Sequence, residues 1–247
     1  MKLWGITHRG AVRQQNQDAY AVRELEDGRG LAVVCDGMGG ARAGNVASSM
    51  AVELFMRKLE EQGQPGDDPQ KWLKTAAAHA NDGVFQKAVD DPDCTGMGTT
   101  LVAALAGNGN AVLLNEGDSR AYHITRDGIT RITRDHSLVE DMVQRGELTR
   151  EQARNHPHKN LITRALGAEP VLLADCFEQN VAPGDYLLLC SDGLSNCVSV
   201  PQIEETLART PFYEAADALV QKALEGGGLD NITVLLMQVE AVEENNG

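Results

Sequence analysis

Residues 31–40 read Leu31-Ala32-Val33-Val34-Cys35-Asp36-Gly37-Met38-Gly39-Gly40, and the rest of the chain is organised around them. The apolar run predicts a buried strand, and we expect a helix to start near Gly44. A lone carboxylate at the end of that strand stands beside glycines, which allow backbone shapes closed to other residues. The stretch therefore predicts a functional site at a strand end.

Composition narrows the class of protein. The chain has 247 residues, of which 42% are hydrophobic, and this suffices for one domain with a substantial core. Its formal net charge is −14. Proteins that bind the phosphate backbone carry the opposite charge, so we expect no nucleic-acid partner. The acidity instead fits a solvated surface together with clustered functional carboxylates.

Cysteine usage and hydropathy indicate a cellular compartment. Five widely spaced cysteines without Cys-x-x-Cys pairs predict reduced thiols rather than a disulfide framework. The N-terminus shows no signal-peptide pattern, and no apolar run approaches the roughly 20 residues needed to span a bilayer. We therefore expect a soluble, cytoplasmic protein without membrane insertion.

The hydrophobic pattern predicts strands, two long helices, more strands, two further helices and a final strand. Three-to-four spacing of apolar residues predicts helices from Asn45, over 70–89, over 201–209 and over 212–224. Alternating or apolar runs predict strands at 2–7, 19–23, 31–35, 99–106, 110–115, 119–125, 129–133, 171–177, 186–190 and 232–239. This order is typical of a layered α+β domain without repeats or linkers.

One polar segment interrupts that pattern. Residues 135–166 show only short helical patterns, at 138–145 and 149–155. An insertion of this length between strands predicts a surface flap subdomain. We expect residues 1–240 to form a single domain and residues 241–247 to form an acidic tail.

Five aspartates occupy strand ends. Asp36 and Asp192 each follow an apolar strand and precede glycine, Asp118 follows another strand, and Asp18 and Asp230 come just before strands. Antiparallel strands bring such ends together, so we expect the five to converge on one sheet edge. Converging carboxylates stay ionised only with cations among them. Ligation by oxygen alone favours Mg²⁺ or Mn²⁺ over zinc, and two such ions activate water and clamp a phosphoryl group.

Arg13 is the expected phosphate anchor, because a bidentate guanidinium offsets an anionic pocket. The residues alone leave a plain alternative open, since aspartate beside glycine is common turn chemistry. A dinucleotide-binding module is another alternative for 31–51. It is disfavoured because Arg42 replaces the last glycine of Gly-x-Gly-x-x-Gly and Asp36 would repel a pyrophosphate.

Six motifs follow one another along nearly the whole chain. They are Gly10-Ala11-Val12-Arg13 with Asn16-Gln17-Asp18-Ala19, Asp36-Gly37-Met38-Gly39-Gly40, Gly96-Met97-Gly98-Thr99-Thr100, Gly117-Asp118-Ser119-Arg120, Ser191-Asp192-Gly193-Leu194, and Gly227-Gly228-Leu229-Asp230-Asn231-Ile232-Thr233. The set resembles the metal-dependent (type 2C, PPM) serine/threonine protein phosphatases, in the bacterial form that is a bare catalytic domain. The resemblance implies a four-layer α/β/β/α sandwich with two central antiparallel sheets, flanking antiparallel helix pairs and a flap.

The resemblance also implies an activity and its partners. The expected reaction is hydrolysis of phosphoserine and phosphothreonine by direct attack of a metal-bridging hydroxide, without a phosphoenzyme. Substrates would be phosphoproteins, including a transmembrane serine/threonine kinase that the phosphatase opposes, and the protein would be a monomer. The alternative function is a non-catalytic phosphatase-like module that only binds a regulatory partner. The presence of all five aspartates and Arg13 favours an enzyme.

Metal-binding roles follow from the same resemblance. Asp36 would bridge two Mg²⁺ or Mn²⁺ ions, and the Gly37 carbonyl would ligate one of them. Asp192 and Asp230 would hold the first ion, and Asp18 would support the second through water.

Asp118 would help to hold a third, weaker ion near the flap, and Arg13 would bind the phosphate. Some family members carry a histidine, proposed as the general acid, where this chain has Met38 and Ala41. Neither residue can donate a proton. A metal-bound water or His8 would then have to protonate the leaving group, and the identity of the acid stays open.

Overall fold

The computed structural model describes residues 1–241, apart from the side chains of Ala41 and Arg42. The predicted acidic tail lies outside the described residues from residue 242 onward. None of the helices within 1–241 is long and apolar enough to cross a membrane.

The described chain alternates between strands and helices as the hydrophobic pattern predicts. The strands are β1 Lys2–His8, β2 Asp18–Glu24, β3 Gly30–Met38, β4 Gly98–Thr99, β5 Leu101–Gly107, β6 Asn110–Glu116, β7 Arg120–Thr125, β8 Gly128–Arg131, β9 Asp175–Asn180, β10 Tyr186–Cys190 and β11 Ile232–Gln238. The helices are α1 Gly40–Gln62, α2 Pro69–Asp90, α3 Leu138–Gln144, α4 Arg150–Arg154, α5 Asp192–Ser195, α6 Val200–Arg209 and α7 Phe212–Glu225.

Two antiparallel sheets stack in the centre of the molecule. The first sheet has the order β2-β3-β5-β6-β9, with β4 paired to the end of β3, and the second has the order β1-β11-β10-β7-β8. Helices α1 and α2 cover the first sheet, and α6 and α7 cover the second. The predicted four-layer α/β/β/α sandwich is therefore confirmed.

Strand β3 shows how one sequence serves two interfaces. Leu31, Val33 and Cys35 belong to the apolar cluster beneath α1 and α2, whereas Ala32 and Val34 belong to the cluster between the sheets. Successive side chains of a strand point to opposite faces, so a continuous apolar run fits a strand that is covered on both sides. This burial holds β3 in register and fixes the position of its polar end.

Helix α1 begins at Gly40, earlier than the predicted start at Asn45. Gly39 and Gly40 have φ angles of 127° and 84°, and these turn the strand directly into the helix. The first turn packs by its backbone: a Cβ on Gly37 would lie 2.0 Å from the carbonyl oxygen of Gly44. Among its described side chains this turn buries only the small Ala43, so the apolar periodicity becomes visible later in the sequence.

Two strand predictions need correction. The strand predicted at 171–177 lies at Asp175–Asn180, where it pairs with β6, and Val171 and Leu173 are 67% and 63% exposed. β-Branched and apolar composition suggested a strand, but the ladder with β6 sets the register. The strand predicted at 99–106 is divided at Thr100, whose amide donates to the Asp36 carbonyl at 2.9 Å.

Residues 135–166, here called the flap segment, carry α3 and α4 between β8 and β9. Its two ends meet. The amide of Leu138 donates to the Leu161 carbonyl at 2.9 Å, and the amide of Thr163 donates to the His136 carbonyl at 2.8 Å. A bridge between Thr99 and Leu166 ties the end of the segment to β4. The segment therefore leaves the sandwich and returns to it at nearly one point.

Candidate active site

The five predicted aspartates gather at one end of the sandwich, and both sheets supply them. Asp18 begins β2 and lies directly opposite Asp36 on β3 in the antiparallel register. Asp192 follows β10 and Asp230 precedes β11, in the second sheet, while Asp118 lies on the connection from β6 to β7. The expectation of one sheet edge was wrong in this respect: the site bridges the ends of two stacked sheets, because β6 and β7 belong to different sheets.

An open pocket of about 400 Å³ lies at this end. Four of the aspartates, Asp36, Asp118, Asp192 and Asp230, line it together with Arg13. Asp18 is buried, and it reaches the cluster through its pairing with Asp36. The remaining lining residues among those described are Gln17, Gly37, Met38, Gly39, Gly40, Thr100, Asn160, Ile162 and Asn231.

Hydroxyl groups hold the buried Asp18. Ser191 and Thr233 donate to its Oδ2 at 2.7 and 2.6 Å, while its buried Oδ1 has no hydrogen-bond partner in the described part of the chain. Both donors come from the second sheet or its end, so they link the two sheets at Asp18. The sequence alone predicted no role for these hydroxyls, although both lie inside the quoted motifs.

Asp192 and Asp230 differ in their partners. Asn196 donates to Asp192 Oδ2 at 3.0 Å, and Asp192 Oδ1 is a second buried oxygen left unpartnered among residues 1–241. Asp230 Oδ2 instead accepts from Arg13 Nη2 at 2.6 Å, and its Oδ1 accepts from the Asn231 amide at 2.8 Å. The expected phosphate anchor therefore lies in contact with an expected metal ligand.

Burial raises the pKa of several of these carboxyl groups. It is the largest cause in each case, and it raises the pKa of Asp18 to about 7, of Asp118 to about 8 and of Asp192 to about 6. The pKa of Asp36 rises well above its usual range, first through burial and then through the charge of Asp18. Neighbouring cations would reverse these shifts, because they favour the ionised form.

The donor set fits hard cations. Two buried carboxylate oxygens, on Asp18 and Asp192, lack partners, and buried polar atoms are normally satisfied. Within residues 1–241, however, no group of three or more Asp, Glu, His or Cys side chains is placed so that it could hold a metal ion by itself. Mg²⁺ needs no such group, because it is usually bound through one or two carboxylates and several waters. If carboxylates, a backbone carbonyl and water share the ligation, the unpartnered oxygens and the lack of a complete side-chain cluster within residues 1–241 are compatible.

The remaining predicted residues occupy different positions. Met38 lines the pocket and offers no proton, and the side chain of Ala41 is outside the described part. His8 ends β1, where its Nδ1 accepts from the Gly10 amide at 2.9 Å, and it is not among the described residues lining the pocket. Its role as proton donor stays a prediction.

The side-chain amides of Asn231 and Gln17 hold the pocket rim together, a role that the sequence alone did not predict. Asn231 accepts from the Gln17 amide at 2.8 Å and donates to the carbonyls of Arg9 and Gln15 at 2.8 and 2.9 Å. Gln17 donates to the Gly40 carbonyl at 2.7 Å, at the start of α1. The position of Asn231 directly after Asp230 was the available signal.

The family model for Protein phosphatase 2C matches residues 6–226. The chain belongs to this family. It is 42% identical over 235 residues to the serine/threonine phosphatase stp of Listeria innocua, covering 94% of this chain and 93% of that protein.

Solved structures agree with this membership. The serine/threonine phosphatase Stp1 from Staphylococcus aureus superposes with a TM-score of 0.91 at 34% identity, covering 97% of this chain and 95% of that one. The catalytic domain of the serine/threonine protein phosphatase PstP, solved in complex with two manganese ions, gives a TM-score of 0.87 at 34% identity, covering 97% and 98% of the two chains. This member of a metal-dependent family is a phosphoprotein phosphatase.

Proposed function

We propose that this protein is a Mg²⁺- or Mn²⁺-dependent serine/threonine phosphatase that hydrolyses phosphoserine and phosphothreonine in proteins. The observation that carries the proposal is the group of five aspartates at one end of the sandwich, two of which leave buried oxygens without partners. Relatives named as serine/threonine phosphatases, over nearly the full length of the chain, support the substrate class.

Asp36, Asp192 and Asp230, with the Gly37 carbonyl, would hold the two core ions. Asp18 would support one of them through water, and Asp118 would contribute to a third. When bound, such ions lower the pKa of coordinated water and neutralise negative charge on the phosphoryl group. Water is the fitting nucleophile, because the described lining residues include no Ser, Cys or His, and the Thr100 hydroxyl is engaged with Ser119 at 2.7 Å.

Arg13 would bind the phosphate at the rim of the pocket. Its guanidinium already contacts Asp230 and is 49% exposed on the solvent side. A guanidinium presents several N–H donors in a fork, so it can contact a carboxylate and a phosphate oxygen together. Arg13 would thereby place the phosphoryl group beside Asp230 and Asp36. His8 remains our proposal for an alternative proton donor or outer contact to the leaving group.

The experiment is hydrolysis of a phosphothreonine peptide with and without Mn²⁺. We expect turnover that requires the ion and is lost in Asp36→Asn and Asp192→Ala. Turnover that neither variant changes would overturn the assignment, and absence of turnover in the wild-type protein would favour a non-catalytic binding module. His8→Gln tests the proton donor, since a loss of kcat confined to substrates with poor leaving groups is expected of a general acid.

We further propose a cytoplasmic, monomeric enzyme with one catalytic domain over residues 1–240 and a flap subdomain over 135–166. Its substrates would be phosphoproteins, including a transmembrane serine/threonine kinase whose action it reverses. Five unpaired cysteines, three of them buried, support a reducing compartment. Phosphoproteomics of a deletion strain should show phosphothreonine sites increasing, and an unchanged phosphoproteome would contradict this role.

A further inference from the structure

A second cavity, here called the flap cavity, opens beside the catalytic pocket. It has a volume of about 430 Å³ and lies between α3 and α4 of the flap segment and the region of α5 and the start of α6. Asp118, Asn160 and Asp192 line both the cavity and the catalytic pocket. The pocket and the cavity are therefore adjacent, within reach of neighbouring residues of one bound peptide.

Cations dominate the wall of the flap cavity. Five line it, namely Arg120, Arg131, Arg150, Arg154 and Lys159. Apart from the two aspartates shared with the catalytic pocket, its lining carboxylates are Asp135 and Glu140. This excess of positive charge is unusual in a chain whose formal net charge is −14. The overall composition therefore does not explain this local positive charge, whereas a binding role for the cavity would.

The floor of the cavity contains two arginines that share one carboxylate. Arg120 binds Asp135 Oδ2 through Nη2 at 2.7 Å, and Arg131 Nη2 binds Asp135 Oδ1 at 2.6 Å. The side chains of Arg120, Arg131 and Asp135 are only 23%, 22% and 8% exposed. Buried charges are normally paired, so two guanidinium groups with one carboxylate leave one positive charge to be balanced.

Neighbouring groups offset only part of that imbalance: Arg120 also lies near Asp118 and Asp192, and its charge opposes the rise in their pKa values. Burial, and then the charge of Arg120, lower the pKa of Arg131, while Asp135 and Glu140 oppose the change. Glu140 is partly engaged elsewhere: it accepts from Gln144 at 3.1 Å and lies 3.5 Å from Arg150 Nη1. At the mouth, Arg154 and Lys159 are exposed and form no ion pair among residues 1–241 within 4 Å. Surplus positive charge is thus present both at the buried floor and at the exposed mouth of the cavity.

We propose that the flap cavity is an oxyanion subsite, which binds a carboxylate side chain or a second phosphate of the same phosphopeptide substrate. This inference rests on the proposed phosphatase function and names a substrate class for it. Guanidinium forks match the paired oxygens of carboxylate and phosphate, and the exposed Arg154 and Lys159 attract an acidic segment to the mouth. The enzyme therefore prefers phosphothreonine sites that have an acidic or phosphorylated neighbour.

The test compares kcat/KM for sets of otherwise identical phosphothreonine peptides. In one set a single Glu is moved one position at a time along the peptide, in a second set Gln replaces it, and in a third the non-hydrolysable phosphonate analogue of phosphoserine replaces it. We expect the Glu or phosphonate peptide to exceed its Gln counterpart by about threefold to tenfold at one or two adjacent positions, as partly exposed charged contacts allow. Comparison of the first and third sets separates a carboxylate from a phosphate as the preferred group.

Variants then assign the preference to the cavity. In the double variant Arg154→Gln/Lys159→Gln, both sites of which are exposed, the Glu-to-Gln ratio should fall to about one. Arg131→Lys should lower the ratio too, because it keeps the charge and removes the fork, and its melting temperature reports whether the floor still folds. Arg209→Gln, an exposed arginine on α6 paired with Glu205, is the matched control and should keep the full ratio.

Each outcome decides a separate question. Turnover of all peptides with a ratio near one in the wild-type protein overturns the subsite and leaves the phosphatase function standing. No turnover of any peptide overturns the phosphatase function, and the subsite with it. A ratio that survives in the double variant and in Arg131→Lys also overturns the subsite.

Discussion

The catalytic pocket and the flap cavity have nearly equal volumes, about 400 and 430 Å³, and share three lining residues, yet their charges are opposite. Aspartates at the ends of sheet strands surround the first. Cations surround the second, and three of them, Arg150, Arg154 and Lys159, belong to the flap segment. The difference suggests separate roles for the two regions. Buried strands hold the catalytic groups, which need fixed geometry, whereas a surface insertion carries the groups proposed to determine substrate preference.

The largest expected effect is the loss of a carboxylate from the catalytic pocket. Asp36→Asn keeps the size of the side chain and removes its charge. We expect kcat to fall by about a hundredfold to a thousandfold, the cost of losing one group that stabilises charge in the transition state. Steady-state kinetics with Mn²⁺ and a phosphothreonine peptide measure it.

Asp127→Asn is the matched control for this variant. Asp127 also precedes a glycine, but it lies in the exposed turn between β7 and β8, away from both cavities. It should keep full activity. Equal losses in the two variants would show that the loss of activity is not specific to the catalytic pocket.

The second largest effect concerns the pH dependence of the stability of the metal-free protein. In the metal-free protein the raised pKa values of Asp18, Asp192 and Asp118 mean that the folded state keeps protons that the unfolded chain releases. Their stabilising contribution is complete below about pH 4 and is lost as the pH rises through about 6, 7 and 8. Melting in EDTA should therefore occur at a lower temperature at pH 8 than at pH 5.5.

The affinity for Mn²⁺ should rise with pH, whereas the stability of the metal-free protein falls. Ions compete with these protons, so Mn²⁺ affinity should rise between pH 6 and pH 8, by about tenfold per pH unit for each proton displaced. Calorimetric titrations at pH 6, 7 and 8 measure it. Affinity independent of pH would show that the carboxylates are already ionised without ions.

A smaller effect is expected at the rim. Arg13→Ala removes hydrogen bonds to a charged phosphate, each worth about 1.5–3 kcal/mol, and should lower kcat/KM by about 10- to 100-fold, mainly through KM. Mn²⁺ affinity should not fall, because the substitution frees Asp230. Arg9→Ala, an exposed arginine in the same turn, is the control and should change neither quantity.

The smallest expected effect lies where the pocket and the cavity meet. Asn196 lines the flap cavity and donates to Asp192, so Asn196→Ala should weaken Mn²⁺ binding by about tenfold, the low end for a residue that orients a metal ligand. It should leave the Glu-to-Gln peptide ratio intact. Asn180→Ala, at the exposed end of β9, serves as control. A changed ratio with unchanged metal affinity would contradict the separation of the two regions.

Local sequence patterns predicted much of this molecule. The apolar runs of β3 and β11 and the apolar periodicity of α2 predicted the sheet and helix layers. Each of these elements shows in its own sequence which of its residues are buried. The aspartates at strand ends predicted the site residues that the structure places together. In contrast, membership of a strand in one sheet or the other depends on pairing between distant segments, so the bridging of two sheets by the aspartates was missed.

The same reason explains the other gaps. The ion pair of Arg13 with Asp230 and the hydroxyls on Asp18 join residues more than 170 positions apart. Val171 and Leu173 look like strand residues, but the ladder that β6 offers begins at Asp175. Arg120 lies inside a quoted motif, but no sequence pattern linked it to Arg131 or to Asp135.

The closed base of the flap segment has a consequence for protein engineering. Its ends are hydrogen-bonded at Leu138 with Leu161 and at His136 with Thr163, so the residues between form a cassette with fixed attachment points. The entropic cost of closing such a loop grows only slowly with its length. Exchanging residues 138–159 for the equivalent piece of a relative leaves Asn160 of the catalytic pocket in place, and it should therefore transplant substrate preference while the recipient keeps its own hydrolytic rate constant.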